Sequence, residues 1–272
     1  MKTFTESFSE NCLRIRETSP LIHNITNYVA MTPTANALLA IGASPIMSSE
    51  KEEMLELASR SDALVVNLGC LELSQMDAMD VAAQSMMEQG KPWVLDPVGA
   101  GATSLRTGKA LELAELFHPD VIRANAAEVM ALYGVPGLSR GVDSPEDSAK
   151  ALESAVGLAR RYSAVVSVSG PVDYITDGST VISIGNGSPM MTRVTAMGCS
   201  ASAITAAFLA VDADSLRAAA CAMALMGVAG ERAARQSPGP GSLSVNFLDN
   251  LAVLTPSEVA ETLKFETREY VQ

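Results

Sequence analysis

The residues with the clearest chemical potential in this chain stand in Val194–Ser200, where Gly198 and Cys199 lead into an apolar run from Ala201 to about Ala210 that reads as a helix. A helix N-terminus collects unpaired backbone N–H groups and the positive end of the macrodipole, so this spot attracts an anion, phosphate first among them. Gly198 lacks a Cβ, which lets an anion approach the backbone closely. The location is also expected to lower the pKa of the Cys199 thiol, leaving three roles open: base, nucleophile or packed hydrophobe. A cysteine hydrolase needs a histidine base. With His23 and His118 as the only histidines and no local nucleophile signature, that class is disfavoured.

Two carboxylates follow short apolar runs. Asp96 closes Trp93–Asp96 and could hold Mg²⁺ directly or through water, since this ion is bound by one or two carboxylates together with waters and substrate phosphates. The competing reading is an N-cap or turn residue ahead of Pro97. Glu128, in Asn125-Ala-Ala-Glu128, is a second candidate; its competing reading is a capping box with Asn125. In His23–Tyr28 three imidazole or amide groups (His23, Asn24, Asn27) fall just before an apolar helix. If buried they need partners, which a small polar ligand can supply, and N-capping by Thr26 or Asn27 is the plainer alternative. The run Asp96–Ser104 invites comparison with nucleotide-binding loops and fails both. Ser104 stands where G-x-G-x-x-G needs its third glycine, and Lys109 is followed by Ala110 where a P-loop needs Ser or Thr.

Elements that could position these residues alternate along the chain. Leu64–Asn67, Trp93–Asp96, Val121–Arg123 and Val165–Val168 are short continuous apolar runs, the pattern of strands covered on both faces. Helical segments are predicted near Lys51–Ser59, Leu73–Gln89, Ser104–Phe117 and Ser144–Tyr162, with another at Met31–Ile41. This alternation predicts an α/β fold with a mostly parallel central sheet and helices on both faces. Tyr174–Gly178 and Thr180–Ile184 flank an Asp-Gly turn and read as an antiparallel hairpin, so the sheet is mixed at that edge. From Gly198 to about Gln236 the pattern is helical, and a Pro/Gly break at 237–241 precedes the final helices. No repeat or linker divides the chain, and one domain over residues 1–272 is expected. Ligands of such sheets bind at the carboxyl ends of the strands. Those ends read Asn67-Leu-Gly69, Asp96-Pro-Val-Gly99, Arg123-Ala-Asn125 and Ser169-Gly170.

Composition narrows the partners. The 272 residues are 48% hydrophobic, enough for a large core, and the net charge of −12 without a basic run opposes nucleic acid. Four cysteines without C-x-x-C spacing suit free thiols in a reducing cytosol. The first seventeen residues, of mixed charge, lack the apolar run of a signal peptide, so a cytoplasmic location is expected. The uncharged stretches 18–49 and 194–211 carry Asn, Pro, Ser, Thr and Gly and read as buried structure, so no membrane partner is expected.

Taken together, the segments Pro20–Val29, Ala43–Met47, Asn67–Gly69, Asp96–Gly101, Arg123–Glu128, the Gly198–Cys199 turn and Gly239–Ser242 resemble the hydroxyethylthiazole kinases of the ribokinase-like superfamily, over nearly the whole chain. The resemblance implies a ribokinase-like fold and transfer of the ATP γ-phosphoryl group to the primary alcohol of 4-methyl-5-(2-hydroxyethyl)thiazole, with Mg²⁺, in thiamine salvage. It implies that Cys199 accepts or positions the hydroxyl proton and that Met47 and Gly198 contact the thiazole alcohol, with Asn24 and Asn27 as further polar contacts. Arg123, Ser169 and Thr195 would meet ATP, Asp96 and Glu128 would form the Mg²⁺–water shell, and the protein would be a homotrimer with its pocket between subunits. A guanidinium at Arg123 also suits bidentate pairing with phosphate on its own chemistry. One departure is Ala196, where the superfamily turn T-G-x-G has its first glycine, and a less open turn is the expected result. The rivals are a hydroxymethylpyrimidine kinase, a nucleotide-dependent dehydratase of the same architecture, which would carry Asp where Cys199 stands, and a thiazole-binding module without turnover.

Overall fold

The computed structural model describes residues 2–135 and 145–271, and side chains throughout these except in 145–148. In chain order the elements are α1 (Phe4–Thr18), β1 (Leu21–Ile25), α2 (Met31–Ile41), β2 (Ser44–Met47), α3 (Met54–Arg60), β3 (Ala63–Asn67), α4 (Leu73–Glu88), β4 (Trp93–Asp96), α5 (Ser104–Phe117), β5 (Val121–Asn125) and α6 (Ala126–Tyr133). They continue with α7 (Pro145–Tyr162), β6 (Val165–Ser169), β7 (Asp173–Thr176), β8 (Thr180–Ile184), α8 (Met197–Leu209), α9 (Ser215–Arg235), α10 (Pro240–Val253), α11 (Pro256–Thr262) and β9 (Phe265–Glu269).

The strands form one sheet in the order β2-β1-β3-β4-β5-β6-β7-β8-β9. Pairing is parallel from β2 to β6 and antiparallel from β6 to β9, as the Asp-Gly hairpin predicts. Side chains alternate across each strand. Val65, Val94, Val121 and Val165 therefore pack into a core with α1, α2, α8, α9 and α10, while Leu64, Val66, Leu95, Ile122 and Val166 face a second core with α3 to α7. Both faces are covered, which is why these strands read as continuous apolar runs. No helix among the described residues is long and apolar enough to cross a membrane.

The predicted strands and helices are present, with small shifts. Lys51–Glu53 is a 3-10 turn ahead of α3, Ser144 lies outside the described residues, and α8 begins four residues before the expected Ala201. Asp212 and Asp214 separate α8 from α9, with Asp214 as the N-cap of α9. Four elements had no predicted counterpart. α1 starts with a Thr3–Glu6 capping box, β1 carries His23 and Asn24 within a strand, β2 contains Pro45, and β9 is exposed at every position.

The order of strands reverses at β1, which has β2 on one side and β3 on the other. Such a switch opens a crevice at the carboxyl ends of the two diverging strands. Register places Asn24 beside Met47 there, and carries polar pairs at the neighbouring strand ends, Asn67 beside Asp96 and Asn125 beside Ser169.

Candidate active site

The N-terminus of α8 points its first turn at these strand ends. Ala196 is the N-cap, and its φ of 64° is in the left-handed region. The turn thus keeps the conformation that a glycine would adopt freely, and Ala196 carries the strain. Ser200 donates its N–H to the Ala196 carbonyl at 2.8 Å, so it adds nothing to the free amides; those of Met197, Gly198 and Cys199 have no acceptor within the helix.

Cys199 is half-buried, and its Sγ accepts from two amides, Asn67 Nδ2 at 3.3 Å and Asn27 Nδ2 at 3.5 Å. Burial and the nearby charge of Asp96 push the thiol pKa up; the two amides and Arg123 offset this only in part. The lowered pKa expected at a helix N-terminus is therefore not realised. At neutral pH the group is a protonated thiol, better suited to orienting a hydroxyl than to removing its proton.

Asp96 is 1% exposed. Its Oδ2 accepts from Asn67 Nδ2 at 2.7 Å and Ser202 Oγ at 2.8 Å, while Oδ1 is buried with no partner. Burial raises its pKa against the opposing pull of Arg123, Ser202 and Asn67. Glu128 makes the capping box that the sequence suggested: Oε2 accepts the Asn125 N–H at 2.9 Å, and the Glu128 N–H goes to Asn125 Oδ1 at 2.9 Å. Its other oxygen leaves the box and accepts the Gly99 N–H at 2.9 Å. Burial raises the Glu128 pKa first and the charge of Asp96 raises it further. An unpartnered carboxylate oxygen and two carboxylates that disfavour each other's charge fit a cation between them. Among the described residues no three His, Cys, Asp or Glu side chains could enclose a metal, which is compatible with Mg²⁺ and its retained waters and not with a closed protein cage.

Arg123 reaches the same place from β5. Nη2 donates to Ser169 Oγ at 2.6 Å, Nε is buried without a partner, and Nη1 would be 2.7 Å from a Cβ at Gly198. The missing Cβ of Gly198 is thus filled by a guanidinium. A cation held against the positive end of a helix is unfavourable alone and favourable when both share an anion. Asp173, 7% exposed, accepts the Gly170 N–H at 3.0 Å and closes the turn after Ser169.

The other predicted residues lie as follows. Thr195 is exposed in the turn before α8, and Met47 is partly buried at the end of β2. Asn24 is fully buried with its amide on the Ile22 carbonyl at 2.8 Å and its Oδ1 unpartnered, whereas Asn27 sits among Asn67, Gly69 and Cys199. Neither Thr26 nor Asn27 is the N-cap of α2. That position is Ala30, whose N–H goes to Asn27 Oδ1 at 3.0 Å, and Thr26 Oγ1 has no partner. His118 ends α5 with a φ of 48°, the helix exit its proline predicts. Three residues were not singled out from sequence. Ser202 is three places beyond Cys199, a spacing that puts both on one face of α8. Arg106 donates to the carbonyls of Leu68, Gly69 and Val98, and with Asp173 it had no sequence signal beyond its neighbourhood. A cavity of about 350 Å³ lined by Asp120, Arg160, Asp177 and Ser215 holds none of the site residues.

Known proteins resemble this chain in sequence and fold. The model of the hydroxyethylthiazole kinase family matches residues 13–257. A hydroxyethylthiazole kinase of Syntrophus aciditrophicus (strain SB) is 50% identical over 251 residues, covering 92% of this chain and 93% of its own. The solved structure of a hydroxyethylthiazole kinase protein from Pyrococcus horikoshii OT3 superposes with a TM-score of 0.90 at 38% identity, covering 97% of this chain and all of the other. The pyridoxal kinase from Staphylococcus aureus in complex with ADP, at 17% identity, TM-score 0.61 and coverage of 92% and 99%, shares the fold. Sheet order, helix placement and these likenesses define a ribokinase-like small-molecule kinase. Within that class the chain belongs to the hydroxyethylthiazole kinase family, and it is a phosphotransferase.

Proposed function

We propose that the chain transfers the γ-phosphoryl group of ATP to the primary alcohol of 4-methyl-5-(2-hydroxyethyl)thiazole, as one cytoplasmic domain spanning residues 1–272. The observation that carries the reading is the Arg123 guanidinium packed against the amide-rich start of α8 at Gly198, two positive features side by side that a single anion would satisfy. Phosphoryl transfer asks a protein mainly for in-line placement and charge stabilisation. The amides of Met197, Gly198 and Cys199 hold the transferring group, Arg123 with Ser169 and Thr195 holds the nucleotide phosphates, and the Cys199 thiol donates to the alcohol oxygen and aims it. Asp96 and Glu128 would hold Mg²⁺ through water, and the ion would neutralise charge on the phosphates. In a loose transition state the attacking oxygen bonds late, so the hydroxyl keeps its proton until the O–P bond forms and then passes it to the transferred phosphoryl group or to water, and an orienting thiol is sufficient where a strong base is absent.

Met47, Asn24 and Asn27 line the alcohol's side of the crevice in this reading. Next to Asn27, Tyr28 is 57% and Val29 65% exposed, apolar surface that suits a homotrimer with each pocket finished by a neighbouring copy. The test is ADP release from Mg-ATP with the thiazole alcohol, a pyrimidine alcohol and ribose offered separately, with product masses measured. Thiazole phosphate as the favoured product is expected. ADP formed only with another alcohol moves the substrate, and no turnover by folded protein removes the kinase reading.

A further inference from the structure

Asn67, at the end of β3, is 1% exposed and has every hydrogen-bonding capacity of its side chain in use. Its amide nitrogen donates to Asp96 Oδ2 at 2.7 Å and to Cys199 Sγ at 3.3 Å. Its oxygen accepts from Asn27 Nδ2 at 3.0 Å and from the Gly69 N–H at 3.0 Å. A side-chain amide has two donors and two lone pairs, so nothing is left over. The orientation is also forced. Flipping the amide would set oxygen against the Asp96 carboxylate and N–H against two other donors.

Gly69 completes the arrangement. A Cβ there would lie 2.5 Å from Asn27 Nδ2, so the absence of a side chain is what admits the second amide to the sulfur. Sγ thus meets two N–H donors and acts as their acceptor. A neutral thiol that accepts on this side must direct its own S–H elsewhere.

We propose that Asn67 is a positioning residue: with Asn27 it fixes the Cys199 sulfur as an acceptor, so that the S–H is turned out to the alcohol, and it ties that sulfur to Asp96 in one rigid unit. The inference rests on the reading that Cys199 meets the alcohol. With its four hydrogen bonds all made within the protein, the Asn67 side chain has none left for substrate or nucleotide. Its effect runs through the sulfur, which separates it from a residue that merely fills space.

The test is a double-mutant cycle on the full chain, with steady-state kinetics for the thiazole alcohol and ATP, and thermal melts to establish that each variant is folded. In the wild-type background Asn67→Ala is expected to lower kcat by about 30-fold, the scale of one lost buried hydrogen-bond network, with the KM for ATP changed less than about 3-fold. In a Cys199→Ala background the same substitution is expected to lower kcat by no more than about 3-fold, because coupled residues are not additive. Equal losses in both backgrounds overturn the inference while leaving the role of Cys199 intact. A Cys199→Ala variant with undiminished turnover overturns both. Should Asn67→Ala not fold, Asn67→Ser, which keeps a small polar side chain but loses the donors to Sγ and Asp96, is read through the same cycle with the same two outcomes.

Discussion

Helix α8 has a buried aspartate near each end, and the two are held in opposite ways. Beyond its C-terminus Asp212 is fully provided for: Oδ2 accepts from Asn11 Nδ2 at 2.6 Å and Arg217 Nε at 2.7 Å, and Oδ1 from Arg217 Nη2 at 2.5 Å and the Asp214 N–H at 3.0 Å. Burial alone would raise its pKa, but Arg217 and Asn11 bring it below the usual carboxylate value. At the N-terminus Asp96 has one oxygen without a partner, and burial outweighs Arg123, so its pKa is raised. The same chemical group is complete where it supports the fold and incomplete at the proposed site. Arg123 repeats the lesson with its unpartnered Nε.

If that contrast is right, substitutions at the two ends separate activity from stability. The largest effect is expected from Arg123→Met, a loss in kcat/KM for ATP on the order of 10³-fold, about 4 kcal/mol, as for a charged group stabilising a transferring phosphoryl. Its melting temperature should hold, because the variant removes a buried cation that the protein leaves partly unsatisfied. A collapse in melting would make Arg123 structural and erase the distinction. Asp212→Ala should do the reverse, costing about 2 kcal/mol in denaturant unfolding, a figure reduced for the partial exposure of Arg217, while kcat stays near wild type.

Asp173 sharpens the comparison through pH. Burial lifts its pKa to about 7, with the Gly170 N–H and Arg123 opposing. The folded protein therefore binds a proton that the unfolded chain has released, so this contribution to stability is full below about pH 4 and is lost as pH rises through about 7. Asp173→Asn keeps an acceptor for the Gly170 N–H. Denaturant midpoints of the two proteins should differ more at pH 8 than at pH 5, with the variant ahead at pH 8; parallel pH profiles would show that the carboxyl is not held in this way. The smallest effect is expected at Ala196, whose left-handed backbone strains an alanine by about 1 kcal/mol. Ala196→Gly should recover part of that in thermal melts.

Much of this layout was legible from residue order. The central strands declare themselves because both faces of each are covered, leaving runs such as Leu64–Asn67 with no polar interruption. Cys199, Asp96 and Glu128 could be named because each stands where a strand or loop turns into a helix. β1 escaped because buried polar residues occupy it: His23 and Asn24 break the apolar pattern that marks a strand. β9 escaped for the opposite reason, since an exposed edge of Phe-Glu-Thr-Arg-Glu has no core face to announce. The direction of the Cys199 pKa shift was misread because the helix terminus is visible in sequence, whereas burial and a neighbouring carboxylate across the sheet are not. Asn67 could be placed at a strand end, but three of its four partners, Asn27, Asp96 and Cys199, come from separate parts of the chain.

The two edges of the sheet are guarded by different means. On one side β9 carries Glu266, Arg268 and Glu269 on an exposed five-residue strand, so an incoming strand would meet charge. On the other, β2 is only four residues long and Pro45 removes one of its N–H donors. Neither edge invites continuation of the sheet into another molecule. A copy added edge to edge would find no continuous ladder to extend, which guards the folded chain against open-ended cross-β stacking.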